Sequence, residues 1–251
     1  MRSSALLLPL VLASCAPSDP PVEYTMVSFE QTLEECTTEG SPCARVTLRY
    51  PEITEARDEG VRTLLNGGIL LPVLQSIDID GSRETPQALA EELFFYYRRT
   101  LKEFPDYSTP WYIDRTAEVV LDSLGILTVH YTEQLFTGGA HPLHQEVYRM
   151  FDTRAGERLW LDSLLADGAR QRLLALAERA FRRIREIPPA KSLNEAGFWF
   201  EENRFTLNET IGLTHRGVEA VFNPYEIAPY AMGSTHLVIP YDSLGGILGR
   251  R

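Results

Sequence analysis

Residues 111–151 decide the fold class, and they read WYIDRTAEVVLDSLGILTVHYTEQLFTGGAHPLHQEVYRMF. This stretch contains three strand-like runs, Trp111–Asp122, Ile126–Phe136 and Leu143–Phe151. In the second run, Tyr131 and Leu135 share one face while His130 and Gln134 share the other, which is the two-residue period of a strand. Short turn-forming segments join the runs, so the stretch predicts consecutive antiparallel hairpins.

Two further strands and two helical segments are predicted before this stretch. Val22–Leu33 and Ala44–Tyr50 resemble paired strands, and Pro51 is expected to end the second. Thr54 is expected to cap a helix over Glu55–Asn66, which is followed by the Gly67-Gly68 interruption and a short helix or turn over Ile69–Ile77. Thr85 and Pro86 are expected to begin a longer helix that runs to about Phe104.

The chain after residue 151 predicts one amphipathic helix and several short strands. The helix is expected over Ala169–Ile187, and its arginines are interpreted as a solvated face, with a polyanion site as the alternative. Strands are expected over Arg204–Leu207, Thr210–Arg216, Val218–Phe222 and His236–Pro240. Helices grouped between antiparallel hairpins indicate an α+β fold, with antiparallel sheets, helices packed on one side and two subdomains.

The N-terminus predicts export and lipidation. Arg2, the apolar run Ala5–Leu12 and the small residues Ala13-Ser14 precede Cys15, an order that resembles the lipobox of bacterial lipoproteins. We expect a signal peptide over residues 1–15, a lipid on Cys15 and a Pro/Ser-rich linker over residues 16–21. The alternative is an ordinary secretory signal with an incidental cysteine. A transmembrane helix is disfavoured because a span needs about 20 apolar residues.

Export and lipidation together predict a membrane-anchored lipoprotein on the periplasmic or extracellular face, in the outer membrane if the host is Gram-negative. They also predict an oxidising surrounding, in which Cys36 and Cys43 form a disulfide at the end of a hairpin. A metal site at these cysteines is a weak alternative, because zinc needs about four ligands and neither His nor Cys lies nearby.

The balance of charges restricts the partners. The net charge is −11 among 251 residues. This excess of acid disfavours binding to nucleic acid or to an anionic membrane surface, both of which need clustered Lys and Arg. It permits a basic protein partner, although solubility alone is a sufficient reason for an acidic composition.

The loop Phe136-Thr137-Gly138-Gly139-Ala140-His141-Pro142 is the first candidate site. The favoured interpretation is a tight connection between strands, with His141 as a buried or half-buried hydrogen-bonding residue. The alternative is a ligand or metal loop that uses His141 and His144. His-x-x-His without a third nearby ligand is not a zinc motif by itself, so no metal is expected.

The segment Asn223–Gly233 is the second candidate site. It holds Tyr225, Glu226 and Tyr230 between prolines, which lower the entropy cost of fixing a loop in one shape. A rigid loop rich in tyrosine suits recognition. The alternative, equally weighted, is a loop whose tyrosines pack onto their own domain.

No catalytic motif for a serine hydrolase, a zinc protease, a phosphate loop or a dinucleotide site is present in the sequence. We therefore expect no catalytic residues and no cofactor. The alternative is a cell-wall glycan hydrolase that uses Glu133, Asp152 or Glu226 together with His141. Convergence of these side chains in one cleft would favour that alternative.

The two loops carry a resemblance to a known family. Gly138–Pro142, Phe151-Asp152, Leu161–Leu164, Phe222–Gly233 and Val238–Tyr241 are similar to the extracellular two-domain region of RsiV-type anti-sigma factors. The first of these domains is shared with the N-terminal region of PdaC-type peptidoglycan deacetylases. The resemblance implies a PdaC-like domain over residues 22–150 and an RsiV-like domain over residues 151–251.

In RsiV-type proteins this region recognises lysozyme. The resemblance thus implies a non-catalytic envelope binding or sensor-type protein, whose partner is a basic protein such as lysozyme or a peptidoglycan fragment. Its expected binding residues are Gly138, Gly139, His141, Tyr225, Glu226 and Tyr230. The chain contains no cytoplasmic sigma-binding segment and no deacetylase domain, so neither of those activities is implied.

Overall fold

The computed structural model describes residues 22–33 and 43–249, which form two β-sheets and three α-helices. The first sheet has six strands in sequence order: β1 (Glu23–Thr32), β2 (Ala44–Glu55), β3 (Trp111–Ser123), β4 (Ile126–Phe136), β5 (Leu143–Asp152) and β6 (Arg158–Leu159). The second has three: β7 (Ile211–Thr214), β8 (Gly217–Phe222) and β9 (Thr235–Pro240). The predicted α+β class is confirmed.

One strand pair corrects the prediction of antiparallel sheets. β2 and β3 pair in parallel, with Ala44 opposite Trp111 and Arg49 opposite Thr116, while the other neighbours are antiparallel. The connection between them holds both helices α1 (Glu59–Val73) and α2 (Pro86–Glu103). A long helical crossover brings the chain back to the start of the sheet, so the next strand runs in the same direction.

The end of β2 and the start of α1 were predicted wrongly. Pro51 lies inside β2 because β3 pairs with β2 only as far as Arg49, so the missing N–H of Pro51 removes no bond to β3. The residue that caps α1 is Asp58, which accepts a hydrogen bond from the Val61 N–H at 3.0 Å, and Thr54 belongs to the strand.

The predicted glycine interruption is also wrong, because α1 runs through Gly67 and Gly68. A Cβ on Gly68 would lie 2.6 Å from the Phe151 ring, so this glycine lets the helix approach the sheet. The cap of α2 was predicted correctly: Thr85 Oγ1 accepts from the Ala88 N–H at 3.1 Å. Both helices cover one face of the first sheet, where Leu65, Leu93 and their neighbours form a buried core.

The second sheet packs with α3 (Arg170–Ile184) around a cluster of phenylalanines. Phe181 of α3 lies at its centre, within 4.8–5.9 Å of the ring centroids of Phe198, Phe200, Phe205 and Phe222. The predicted strand over Arg204–Leu207 is absent from the described residues, since this segment pairs with no strand and instead buries Phe205 in the cluster.

The two sheets meet at the face of β4 and β5 that points away from α1 and α2. Ile126 and Met150 of that face belong to the core around Phe181. β7 approaches so closely that a Cβ on Gly212 would lie 2.9 Å from Tyr148 Cβ and 3.0 Å from Thr128 Cγ2. The contact buries the sheet face between the two cores.

The domain division predicted at residues 150 and 151 falls inside β5, and its assignment to two families stays a prediction. In residues 22–33 and 43–249, no helix combines the length and apolar character that crossing a bilayer requires.

Candidate functional site

The two loops singled out in the sequence meet in space. His141 Nε2 lies 3.0 Å from the Tyr225 hydroxyl oxygen, and the His141 ring stacks on Tyr230 at a centroid distance of 3.8 Å and an angle of 17°. The centroids of Tyr225 and Tyr230 lie 5.6 Å apart. These three side chains form one surface, which we call the aromatic rim (His141, Tyr225, Tyr230).

The first loop owes its path to two glycines. Gly138 and Gly139 have φ angles of 94° and 107°, a region that favours glycine. A Cβ on Gly138 would lie 2.8 Å from the Tyr107 hydroxyl, which accepts a hydrogen bond from Trp111 Nε1. Gly138 therefore allows the loop to rest on this aromatic pair.

The second loop is held in place by two buried residues and by hydrogen bonds from Arg185 near its C-terminal end. Ile227 and Ala228 are buried in the core around Phe181. The guanidinium of Arg185 donates to the carbonyls of Met232 and Ser234 at 3.0 and 2.9 Å. Tyr225 has a φ of 68°, a strained conformation for a residue with a side chain.

The loops are also joined to each other and internally. The Tyr230 hydroxyl donates to the Pro142 carbonyl at 3.1 Å, which joins the second loop to the first. Glu226 accepts from the Asn223 N–H at 2.8 Å and from the Asn208 side chain, so both of its oxygens are engaged within its own loop region. These bonds hold the rim in one shape.

The rim faces solvent. Tyr225 is 55% exposed, His141 is exposed and Tyr230 is half-buried. The favoured interpretation of His141 as a buried or half-buried residue is therefore wrong, because its loop projects beyond the end of the strand pair. Each of the two interpretations of the tyrosines holds for one residue: Tyr230 packs within the molecule, and Tyr225 is exposed and available for contact with a partner.

A second group of polar side chains lies beside the rim and was missed by the sequence analysis. Glu146 is surrounded by three imidazoles: the Nε2 atoms of His130, His144 and His236 lie 3.0, 3.4 and 3.3 Å from its oxygens. We call this group the histidine–carboxylate cluster (His130, His144, Glu146, His236). It joins β4, β5 and β9, and thus both sheets.

The electrostatics of the cluster favour an ionised Glu146. The hydrogen bond from His130 lowers the pKa of Glu146 below its usual value, burial opposes this change, and His236 and His144 support it. The Glu146 carboxylate is 11% exposed.

Asn223 connects the cluster to the rim. Its side chain accepts from the Glu146 N–H at 2.8 Å and donates to the Glu146 carbonyl at 2.9 Å. Since Asn223 also begins the loop that carries Tyr225, the rim and the cluster share a support.

Part of the cluster could have been found from the sequence. His130 and Glu146 occupy even positions of the two strands joined by the glycine-rich loop, and a hairpin register places such positions on one face. His236 gives no such signal, because it comes from β9 of the other sheet and reaches Glu146 only through tertiary packing.

The structure separates the two histidines of the ligand-loop interpretation. His141 belongs to the rim and His144 to the cluster. Among the described residues, no group of three or more His, Cys, Asp or Glu side chains has the arrangement of a metal site.

The residues of the hydrolase interpretation do not converge. Glu133 faces α1 and accepts from Arg115 Nε at 2.6 Å, whereas Asp152 accepts from the backbone of the following turn. The two lie at opposite ends of the β4–β5 pair, roughly 20 Å apart at 3.3 Å per residue. Glu226 is bound within its loop and His141 to Tyr225.

Of the three cysteines in the sequence, the structure describes Cys43. Cys43 is disulfide-bonded. Its predicted partner Cys36 and the predicted lipid site Cys15 lie outside the described residues.

Comparison with known proteins found a family model that matches part of the chain. Residues 162–242 match a family described as "Protein of unknown function (DUF3298)". This DUF3298 region contains α3, all of the second sheet, Tyr225, Tyr230 and His236. His130, His141, His144 and Glu146 precede it, so the rim and the cluster are each completed by residues outside the match.

Two solved structures share the fold over nearly the whole chain. A DUF3298 family member from Bacteroides fragilis is 18% identical, with a TM-score of 0.69 over 93% of this chain and 96% of that one. A DUF3298 family protein from Pseudomonas aeruginosa is 20% identical, with a TM-score of 0.63 over 92% of this chain and 96% of that one. No curated protein matches the chain.

Proposed function

We propose that this protein is a lipid-anchored, non-catalytic binding protein of the cell envelope, and that the aromatic rim contacts a basic protein of the lysozyme type. The observation that carries the proposal is the meeting of His141, Tyr225 and Tyr230 at one exposed surface. The DUF3298 match is consistent with the resemblance to RsiV-type proteins, which bind lysozyme through this region.

The physical character of the rim supports recognition of a protein. Tyrosine brings a large contact area with few rotatable bonds, and Tyr225 is already held by its hydrogen bond to His141. A surface that is ordered before binding loses less conformational entropy when the partner docks. The net charge of −11 increases the rate of encounter with a cationic partner.

The experiment measures binding of the isolated protein to immobilised lysozyme and, separately, to soluble peptidoglycan fragments. We expect saturable binding to lysozyme that weakens with salt and falls at least tenfold, about 1.4 kcal/mol, in Tyr225→Ala. Tyr24→Ala is the matched control, because Tyr24 is 40% exposed on β1, the far edge strand of the first sheet.

The outcomes separate the candidates. Binding to peptidoglycan fragments but not to lysozyme would replace the protein partner by the glycan. Binding to neither, or equal losses in Tyr225→Ala and Tyr24→Ala, would contradict the rim as a contact surface.

A further inference from the structure

A cavity of about 370 Å³ lies where the first sheet, α3 and the segment before β7 meet. Its wall is mainly apolar, and the apolar residues include Met150, Leu159, Leu161, Leu173, Leu207 and Ile211. The volume is within the range of small-molecule sites, and an apolar wall with a few polar groups is their usual construction. The charged groups of the lining therefore decide what kind of small molecule the cavity suits.

Four charged side chains line the cavity, two of each sign. Asp162 and Arg170 form an exposed ion pair with each other. Arg158 and Glu209 are in no ion pair: across the part of the chain that the structure describes, no carboxylate lies within 4.0 Å of the Arg158 guanidinium and no basic group lies within 4.0 Å of the Glu209 carboxylate. One cation and one anion thus remain unpaired beside the same apolar space.

The surroundings of Arg158 favour an added anion. Arg158 is half-buried, and its guanidinium lies over the Trp160 ring, 3.7 Å from the ring centroid. Stacking occupies a face of the guanidinium and leaves the N–H donors in its plane. Burial lowers the pKa of Arg158, Arg149 lowers it further and Glu209 raises it. The guanidinium stays protonated, so it carries its charge in a partly desolvated place without an adjacent counter-ion.

Glu209 supplies the opposite charge. Its carboxylate is exposed, and its effect on Arg158 means that the two charges interact although they are not in contact. A molecule that carries an anionic and a cationic group can pair with both side chains at once. Because charge-assisted hydrogen bonds are the strong ones, such a molecule gains two favourable contacts at the edge of the cavity.

We propose that this cavity binds an apolar α-amino acid in its zwitterionic form. The carboxylate of the ligand pairs with Arg158, its ammonium group pairs with Glu209, and its side chain fills the apolar space. The site uses no residue of the aromatic rim. It therefore goes beyond the proposed function, and the two proposals succeed or fail separately.

The test is calorimetric titration of the full chain, as isolated from the cell, with L-leucine, L-phenylalanine and L-tryptophan. We expect at least one of them to bind with a 1:1 ratio, and the tightest one identifies the side chain that the cavity prefers. L-Alanine keeps both charges but lacks the apolar body, so it is expected to bind at least tenfold more weakly. Absence of 1:1 binding for all three apolar amino acids would overturn the proposal.

Analogues of the tightest ligand test its two charges separately. One analogue lacks the amino group and the other lacks the carboxylate. Each is expected to bind at least tenfold more weakly than the amino acid, because one charge of the protein then stays unpaired. Equal affinity for the amino acid and for either analogue would overturn the zwitterionic ligand.

Arg158→Gln and Glu209→Gln are each expected to weaken binding of the amino acid at least tenfold. Glu209 is exposed, so Glu209→Gln is expected to keep the fold and tests the site even if Arg158→Gln is destabilised. Arg45→Gln and Glu30→Gln are the matched controls, since both residues are exposed on β2 and β1 and outside the cavity lining. Both controls are expected to leave binding unchanged.

One combination separates pairing from a structural effect of Glu209. The analogue without the amino group is expected to bind wild type and Glu209→Gln equally, because it has no group that pairs with Glu209. A loss for this analogue as large as the loss for the amino acid would overturn the assigned contact. Unchanged affinity of the amino acid in Glu209→Gln would overturn it as well.

Discussion

His130 and Glu146 form a diagonal pair across β4 and β5, with His130 Nε2 3.0 Å from Glu146 Oε2. In the register, His130 is opposite Tyr148 and Glu146 is opposite Thr132, so the bond crosses between rungs of the ladder. The His130 ring stacks on Tyr148 at 4.4 Å and 18°, which fixes its orientation toward the carboxylate. His236 approaches the same carboxylate from the second sheet, so Glu146 connects the two halves of the fold.

Glu146→Gln is predicted to destabilise the protein by about 1–3 kcal/mol at neutral pH, because its charge-assisted hydrogen bonds become neutral ones. The pKa of Glu146 is lowered from 4.5 in the folded state. A group of this kind stabilises the fold above its unfolded pKa, and the contribution is lost as the pH falls through the folded value. The difference between wild type and variant should therefore shrink below about pH 4.5.

Urea denaturation at a series of pH values measures this difference. Glu30→Gln is the control, because Glu30 is an exposed carboxylate on β1. A wild-type minus Glu146→Gln difference that stays constant from pH 7 to pH 3 would contradict the role of the ionised carboxylate.

Gly212→Ala is predicted to destabilise the contact between the sheets. The new Cβ would lie 2.9 Å from Tyr148 Cβ, an atom that cannot move without its strand. Overpacking of this kind costs about 1–3 kcal/mol. Gly245→Ala is the matched control, since a Cβ there meets nothing within 4 Å. Thermal unfolding checks the pair, and equal melting temperatures for the two variants would refute the close packing.

Arg115→Met is predicted to cost about 3–5 kcal/mol, because it leaves buried groups unpaired. Arg115 is 6% exposed, donates to Glu133 at 2.6 Å and also donates to the Val73 and Gln75 carbonyls at the end of α1, at 3.0 and 2.7 Å. Chemical denaturation measures the loss. Arg45→Met, which breaks the exposed pair with Asp114, should cost no more than about 1 kcal/mol; similar costs for both would contradict the prediction.

The sequence predicted best where the structure is set by local pattern. The bounds of β4 were predicted exactly as observed, since alternation and flanking turns determine them. Two other bounds were set by tertiary contacts and were predicted wrongly: β2 continues through Pro51 because β3 no longer pairs with it there, and α1 continues through Gly68 because the Phe151 ring occupies the space a side chain would fill.

In the candidate site, too, residues marked by local sequence were predicted and a residue placed by tertiary packing was not. The unusual composition of the two loops identified His141, Tyr225 and Tyr230 before their contact was known. In the histidine–carboxylate cluster, His236 could not be predicted, because it follows Glu146 by 90 positions and belongs to another sheet. Residue type and spacing carry no information about a packing contact of that kind.

The final prediction concerns the attachment of the chain to the envelope. If Cys15 is lipidated, mass spectrometry of the native protein will find an N-terminus at Cys15 that carries acyl chains. Cys15→Ser is expected to shift the protein from the membrane fraction to the soluble fraction. Its fold should persist, because Cys15 precedes the predicted linker and the first strand among the described residues begins at Glu23. If the native species is an unprocessed, unacylated form that begins at Met1, the predicted localisation is contradicted. The prediction of a Cys36–Cys43 disulfide, which assumed an oxidising compartment, would then lose its basis.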